Sequence, residues 1–153
     1  MAFVCTALDP KPVLVGDAIV VPIGYDNTEP KSYSLLIAFD TMAGGADEFF
    51  FCVIAANTAD NTETRYWSGL ETANFMTGSD RALVHRALIV GTDALLSHNS
   101  PKRVFCCTHD ANLPERALNK HLSICHVFAA RGYQVKQEPL VLGKHSWWME
   151  RRE

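Results

Sequence analysis

The chain has 153 residues, of which 48% are hydrophobic and 20% are charged, and its formal net charge is −3. This length suits one globular domain with a sizeable core, and the composition argues against intrinsic disorder. No apolar run approaches the roughly 18 residues that span a bilayer, and the first residues lack the pattern of a secretory signal, so neither membrane insertion nor secretion is expected.

Residues 1–31 contain four prolines. They predict an N-terminal arm or edge strand, with one short strand at residues 18–21. Three apolar runs follow, at residues 33–39, 49–55 and 64–67. Polar or glycine-rich links join these runs, which predicts an antiparallel meander.

The apolar period then becomes helical. Ser79 or Asp80 is suited to cap a helix that runs to about residue 97. A short β-type run follows at residues 104–108, and a second helix runs from about Pro114 to about residue 131, where Gly132 closes it. Strands are predicted from residue 135 and at residues 146–149. The order predicts an α+β fold with a central mixed sheet, an antiparallel meander and then α-β-α-β-β, in one domain over residues 1–153.

The cysteines and the charges indicate the cellular compartment, the cofactors and the kind of ligand expected for this domain. The five cysteines form no C-x-x-C pair. An odd count without metal-type spacing predicts reduced thiols in a cytoplasmic protein, and we expect no metal ion as a cofactor. Acidic residues lead basic ones by ten to three in residues 1–77, whereas basic residues lead by eleven to seven in residues 78–153. The basic half either faces an anionic ligand or is one solvated face of the domain.

Two short segments carry a family resemblance: Gly132-Tyr133, which closes the second helix, and the final run Trp-Trp-Met-Glu-Arg at residues 147–151. They resemble the GCN5-related N-acetyltransferase (GNAT) family over residues 33–151. The resemblance implies a core that binds acetyl-CoA between the strand ending near Gly69 and the strand beginning at Val104. It also implies transfer of the acyl group to an amine of a small molecule or a protein.

The GNAT resemblance assigns roles to particular residues. In that family a glycine-rich turn at a helix start binds the CoA pyrophosphate through backbone N–H groups and the positive helix end. The corresponding cofactor-binding residues are Gly78, Ser79, Arg81 and Ala82, although Asp80 in the same turn would repel phosphate.

The catalytic residues that the resemblance implies are few. Asp40, Glu71 or His109 would accept the amine proton. The family's tyrosine, which protonates the departing thiolate, corresponds to Phe128, which has no proton to give. A second hypothesis therefore stands beside the enzyme. It is a catalytically degenerate domain that binds a protein partner, for example an inhibitor encoded by a phage or mobile element.

The element order is also similar to that of ribonuclease H, a nuclease in which carboxylates at strand ends hold two Mg²⁺ ions. Asp40 and Asp110 each follow a predicted strand. The glutamate that this family carries on the next helix is missing, and Asp47, Glu48, Glu71 or Glu115 would have to replace it. We therefore rank nucleic acid behind an amine or a protein as the partner, and we expect no membrane partner.

Two further patterns have a structural and a functional interpretation. One is a set with ligand chemistry for zinc: Cys107, His109, His121, Cys125 and His126. The other is a thiol of the Cys106-Cys107 pair beside His109 or His85, which has the chemistry of a nucleophile. Core packing explains these residues more simply.

The aromatic runs at residues 49–51 and 147–148 predict a sheet that is covered on both faces. Exposure of Phe50 or Trp147 would instead indicate a partner surface.

Overall fold

The computed structural model describes residues 3–152, and it is an α+β fold built on one large mixed sheet. Its strands are β1 (Phe3–Cys5), β2 (Val13–Val15), β3 (Ala18–Asp26), β4 (Lys31–Thr41), β5 (Asp47–Asn57), β6 (Thr62–Tyr66), β7 (Arg103–Cys107), β8 (Tyr133–Gln137) and β9 (Ser146–Arg151). Its α-helices are α1 (Gly69–Thr72), α2 (Gly78–His98) and α3 (Asn119–Ala130), and a 3-10 turn, Glu115–Leu118, precedes α3.

The sheet has the order β1-β3-β4-β5-β7-β9-β8, with β2 also paired to β3 and β6 also paired to β5. Every neighbouring pair is antiparallel except β5 and β7, which are parallel. A parallel pair needs a long crossover connection, and α2 supplies it between β6 and β7. The last strand of the chain, β9, lies between β7 and β8.

The core lies on one face of this sheet. Alternate side chains of the strands point to opposite faces, and the core cluster takes one parity in each strand, such as Val104 and Cys106 in β7. Ala38 of β4 and Cys52 of β5 have the opposite parity and are also buried. The core cluster packs against buried residues of α2 and α3, including Leu88 of α2. The two helices also contact each other, so they cover the same face.

α2 packs very closely on the sheet at Gly91. A Cβ atom at this position would overlap Ile37 Cδ1 of β4 and would lie 3.0 Å from Val21 Cγ2 of β3. Glycine therefore sets the distance between helix and sheet.

Most predicted elements are confirmed, including the α+β class, the β4-β5-β6 meander and both long helices. The N-terminal segment supplies the edge strands β1 and β2, but β3 is longer than predicted and lies between them and β4. Pro22 is tolerated inside β3 because the register shifts between Pro22 and Gly24, which marks a bulge. The short helix α1 was not predicted. None of the helices within residues 3–152 is both long and apolar enough to cross a membrane.

Candidate functional site

The sheet opens into a cleft beside β5. β4 pairs along the whole of one edge of β5, so β6 and β7 share the other edge. On that edge β6 pairs with residues 53–57 and β7 pairs only with Asp47 and Glu48. Residues 49–52 pair with neither strand, because β7 diverges and β6 has ended. The gap is the mouth of a cavity of about 990 Å³.

Aromatic side chains form much of the wall. Phe51 points to the helix side of the gap, where its ring centroid lies 5.8 Å from that of His121. Phe50 points to the opposite side, 6.1 Å from the Trp67 ring. The wall is thus apolar across the full thickness of the sheet, which suits the body of an organic ligand.

The structure brings two of the three predicted proton acceptors together at the rim. His109 Nε2 lies 3.7 Å from Glu71 Oε2, and both side chains are partly exposed. The His109 ring stacks on Trp67, with centroids 6.2 Å apart and an interplanar angle of 20°. Glu71 is held in turn by Ser68, whose hydroxyl donates to Oε2 over 3.3 Å and whose oxygen caps α1. The third predicted acceptor, Asp40, lies exposed at the end of β4, away from the cleft.

Three cations, Arg81, Arg116 and Lys120, line the same cleft at its helical end. Arg81 Nη2 donates to the Gly69 carbonyl oxygen over 2.9 Å, which ties α2 to the start of α1. The Lys120 ammonium lies 5.5 Å from the centroid of the Phe51 ring. Burial lowers the pKa of Lys120, the Arg81 charge lowers it further, and Asp110 opposes the shift. An anion in the cleft would relieve this concentration of positive charge.

His121 is almost completely buried in the wall of the cleft, with 4% of its surface exposed. Its ring stacks on Trp147 with centroids 5.5 Å apart and an interplanar angle of 11°. Burial lowers the pKa of His121 to about 3, and the nearby Lys120 and His145 add to this shift, so the imidazole is neutral at neutral pH. Its Nδ1 atom, like Asp110 Oδ2, is buried and has no hydrogen-bond partner among residues 3–152.

The predicted cofactor-binding turn is partly used by the helix itself. The Thr77 side chain accepts from Asp80 N, and the Asp80 carboxylate accepts from Thr77 N over 2.9 Å, which is a capping box. Gly78 and Arg81 line the cleft, whereas Ser79 and Ala82 are exposed outside it. The first turn of α2 therefore already carries one carboxylate at its positive end.

The geometry does not favour the nuclease, zinc-site or thiol-nucleophile hypotheses drawn from the sequence. β5 lies between β4, which carries Asp40, and β7, which precedes Asp110, so these carboxylates are not on adjacent strands. In the part of the chain that the structure describes, no three His, Cys, Asp or Glu side chains meet to hold a metal ion. Burial raises the pKa of Cys106 and of Cys107, which is the opposite of what an activated thiol needs.

Phe128, which the resemblance placed at the position of the acid, is fully buried and lies outside the cleft. Its ring contacts Phe49 and Tyr133 edge-on, with centroids 5.4 and 5.1 Å away. It is a core residue.

No protein-family model, curated protein or solved structure matches this chain.

Sequence reasoning missed Trp67, Arg116 and Lys120 as cleft residues. Lys120 and His121 lie in the polar first turn of α3, ahead of its apolar residues, and this was the available signal. Trp67 follows a weak strand, and its stacking on His109 depends on the crossover between β6 and β7, which local sequence does not specify.

Proposed function

We propose that the chain is a divergent GNAT-like N-acyltransferase that binds an acyl-CoA thioester in the cleft between β5 and β7. The observation that carries the proposal is the early end of the parallel β5–β7 pairing. It leaves the edge of β5 at residues 49–52 free to meet a ligand. Free backbone N–H groups on such an edge polarise a thioester carbonyl when it lies against them.

The charges of the cleft suit the two ends of such a ligand. The anionic phosphates of CoA would lie toward Arg81, Arg116 and Lys120, where they relieve the repulsion among the cations. The thioester would then lie toward the rim that carries Glu71 and His109. The apolar wall between these ends would hold the connecting arm.

The rim has the groups that acyl transfer requires. His109 would take the proton of the attacking amine, and Glu71 would stabilise the imidazolium that forms. The departing thiolate needs a proton, and the imidazolium that His109 forms by accepting the amine proton would return one to it. Burial raises the pKa of Cys107, as does Glu48, so this cleft thiol is a weaker acid than an ordinary thiol and is not the donor.

Calorimetric titration with acetyl-CoA tests the binding step. Lys120→Met keeps the length of the side chain and removes its charge, and we expect acetyl-CoA to bind about tenfold more weakly because one charge-assisted contact is lost. Lys136→Met makes the same change on an exposed strand residue and should leave the affinity unchanged. Absence of acetyl-CoA binding by the unmodified protein would refute the proposal.

Release of free CoA in the presence of a panel of amines tests the transfer step. His109→Ala should lower the rate at least about a hundredfold, as removal of a general base does. His126→Ala alters an exposed histidine of α3 and serves as the control. Equal rates for the two variants would remove His109 from the mechanism.

A degenerate domain that binds a protein partner is the second candidate. The Asp80 carboxylate at the start of α2 and the aromatic ring of Phe128 favour it, because neither residue serves acetyl transfer. Binding of acetyl-CoA without release of CoA in the presence of any amine would favour this degenerate domain over the enzyme.

A further inference from the structure

Lys120 is a partly buried lysine with no carboxylate partner in the described part of the chain. It lies in the first turn of α3 and lines the cleft, where its ammonium lies 5.5 Å from the centroid of the Phe51 ring. None of the ion pairs found among residues 3–152 includes Lys120. An ammonium that is withdrawn from water without a partner destabilises the fold, so a role in the cleft explains Lys120 better than a structural role does.

Two arginines lie in the same cleft. Arg81 belongs to the first turn of α2, and its charge is close enough to act on the Lys120 ammonium. Arg116 belongs to the 3-10 turn that leads into α3. Neither arginine takes part in an ion pair found among residues 3–152. Guanidinium groups bind phosphate and carboxylate through paired N–H donors, so the two arginines can hold an anionic group near the amine.

The surroundings of Lys120 favour the neutral amine, which is the form that attacks a carbonyl carbon. Burial, and after it the Arg81 charge, lowers the pKa of Lys120. A larger fraction of this side chain is therefore unprotonated at neutral pH than of an exposed lysine. Phe51 of β5 and Val84 and Leu88 of α2 line the same cavity, and they supply an apolar wall for the carbon skeleton of a ligand.

We propose that Lys120 is a nucleophile that forms an imine with an aldehyde or ketone carrying a phosphate or carboxylate group. Its nitrogen adds to the carbonyl carbon and gives a carbinolamine. The carbonyl oxygen then leaves as water with both amine hydrogens, so the step needs no oxidant or reductant. Asp110, the cleft carboxylate whose charge acts on Lys120, would carry the proton from the nitrogen to the departing hydroxyl. Arg81 and Arg116 would hold the anionic group.

The other lysines of the chain lack these surroundings. Four of them are exposed: Lys11, Lys102, Lys136 and Lys144. Lys31 is partly buried, but Glu29 lies 3.1 Å from its ammonium and raises its pKa. Both settings favour the protonated form, which does not attack a carbonyl group. Among the lysines, imine formation should therefore concentrate at Lys120.

Reductive trapping with pyridoxal 5′-phosphate tests the proposal. The chain is incubated with an equimolar amount of this aldehyde, the imine is reduced with borohydride, and the adduct is located by mass spectrometry of the intact chain and its peptides. Lys120 should be the lysine that is labelled. Pyridoxal has the same aldehyde without the phosphate, and it should label Lys120 about tenfold more slowly because the arginine contacts are lost.

Three variants separate the amine from the anion site. Lys120→Arg keeps the charge and removes the primary amine, so the adduct should be lost, whereas Lys136→Arg makes the same change on an exposed strand residue and should label normally. Arg116→Gln should slow labelling by pyridoxal 5′-phosphate several-fold and leave labelling by pyridoxal unchanged. Labelling of exposed lysines as fast as Lys120 would overturn the inference, and so would equal rates for the two aldehydes.

The imine does not rest on the proposed acyl transfer. Acetyl-CoA binding is measured by calorimetry without a carbonyl compound, and Lys120→Arg should retain it because the charge is kept. A chain that forms the imine and binds no acetyl-CoA would refute the transferase alone. A chain that binds acetyl-CoA and shows no selective adduct at Lys120 would refute the imine alone.

Discussion

Replacing His121 with phenylalanine should remove an acid sensitivity that this side chain gives to the fold. The imidazole stacks on Trp147 and is almost completely buried. Its pKa in the folded protein is about 3, compared with 6.5 for an ordinary histidine. The unfolded chain therefore binds a proton between these values that the folded chain does not, and stability falls as the pH falls through this window.

The size of the effect follows from the two pKa values. Each pH unit inside the window changes the free energy of unfolding by ~1.4 kcal/mol. Between pH 7 and pH 5 the unfolded imidazole becomes almost fully protonated while the folded one stays neutral, so His121 alone should cost about 2 kcal/mol. Burial also lowers the pKa of His85, which adds a loss of the same sign. That loss is common to both proteins and cancels in their difference.

Urea unfolding at pH 7 and pH 5 measures the effect. The unmodified protein should lose about 2 kcal/mol more than His121→Phe over this interval. His126→Phe makes the same change at an exposed position of α3 and should lose as much as the unmodified protein. If His121→Phe shows the same pH dependence as the unmodified protein, then His121 is protonated normally in the fold and the reasoning is wrong.

Substitutions at three positions, each with a matched control, test the core packing and the helix start. The free energy of unfolding is measured by chemical denaturation. Gly91→Ala should cost about 1–3 kcal/mol, because its Cβ would overlap Ile37, whereas Gly78→Ala in the open first turn of the same helix should be neutral or stabilising. Thr77→Ala should cost about 1 kcal/mol by removing the capping oxygen, and Thr77→Ser should recover most of it. Phe128→Ala should cost about 3–5 kcal/mol, and the milder Phe128→Leu distinctly less; a negligible loss for Phe128→Ala would contradict its place in the core.

The fold was largely predictable because local patterns and tertiary structure agree in most of the chain. Continuous apolar runs specify β4 and β5, and the glycine-rich turn between them specifies an antiparallel pair. The start of α2 was predicted two or three residues late, with Ser79 or Asp80 as the cap in place of Thr77, because Asp80 is the partner of the cap in the capping box and not the cap itself. The insertion of β9 between β7 and β8 was not predicted, since strand order depends on which edges are free when the chain returns.

The site was less predictable because it forms where residues 49–52 of β5 pair with neither β6 nor β7. His109 and Glu71 were both candidates, but only the crossover from β6 through α2 to β7 brings them within 3.7 Å. Asp40 also lies at a strand end, so its local sequence made it an equal candidate. The sheet nevertheless places it on another surface, away from the cleft. Lys120 lines the cleft only because β7 diverges from β5 after Glu48.

The close packing of α2 on the sheet at Gly91 also determines which wall of the cleft can move. A helix whose backbone rests directly on sheet side chains has no compressible layer beneath it, so it neither rocks nor slides without unpacking the core. The opposite wall, formed by β6 and α1, is joined to the sheet through five paired residues of β5. The wall formed by β6 and α1 is therefore the wall that can yield, once the hydrogen bond from Arg81 of α2 to the Gly69 carbonyl opens.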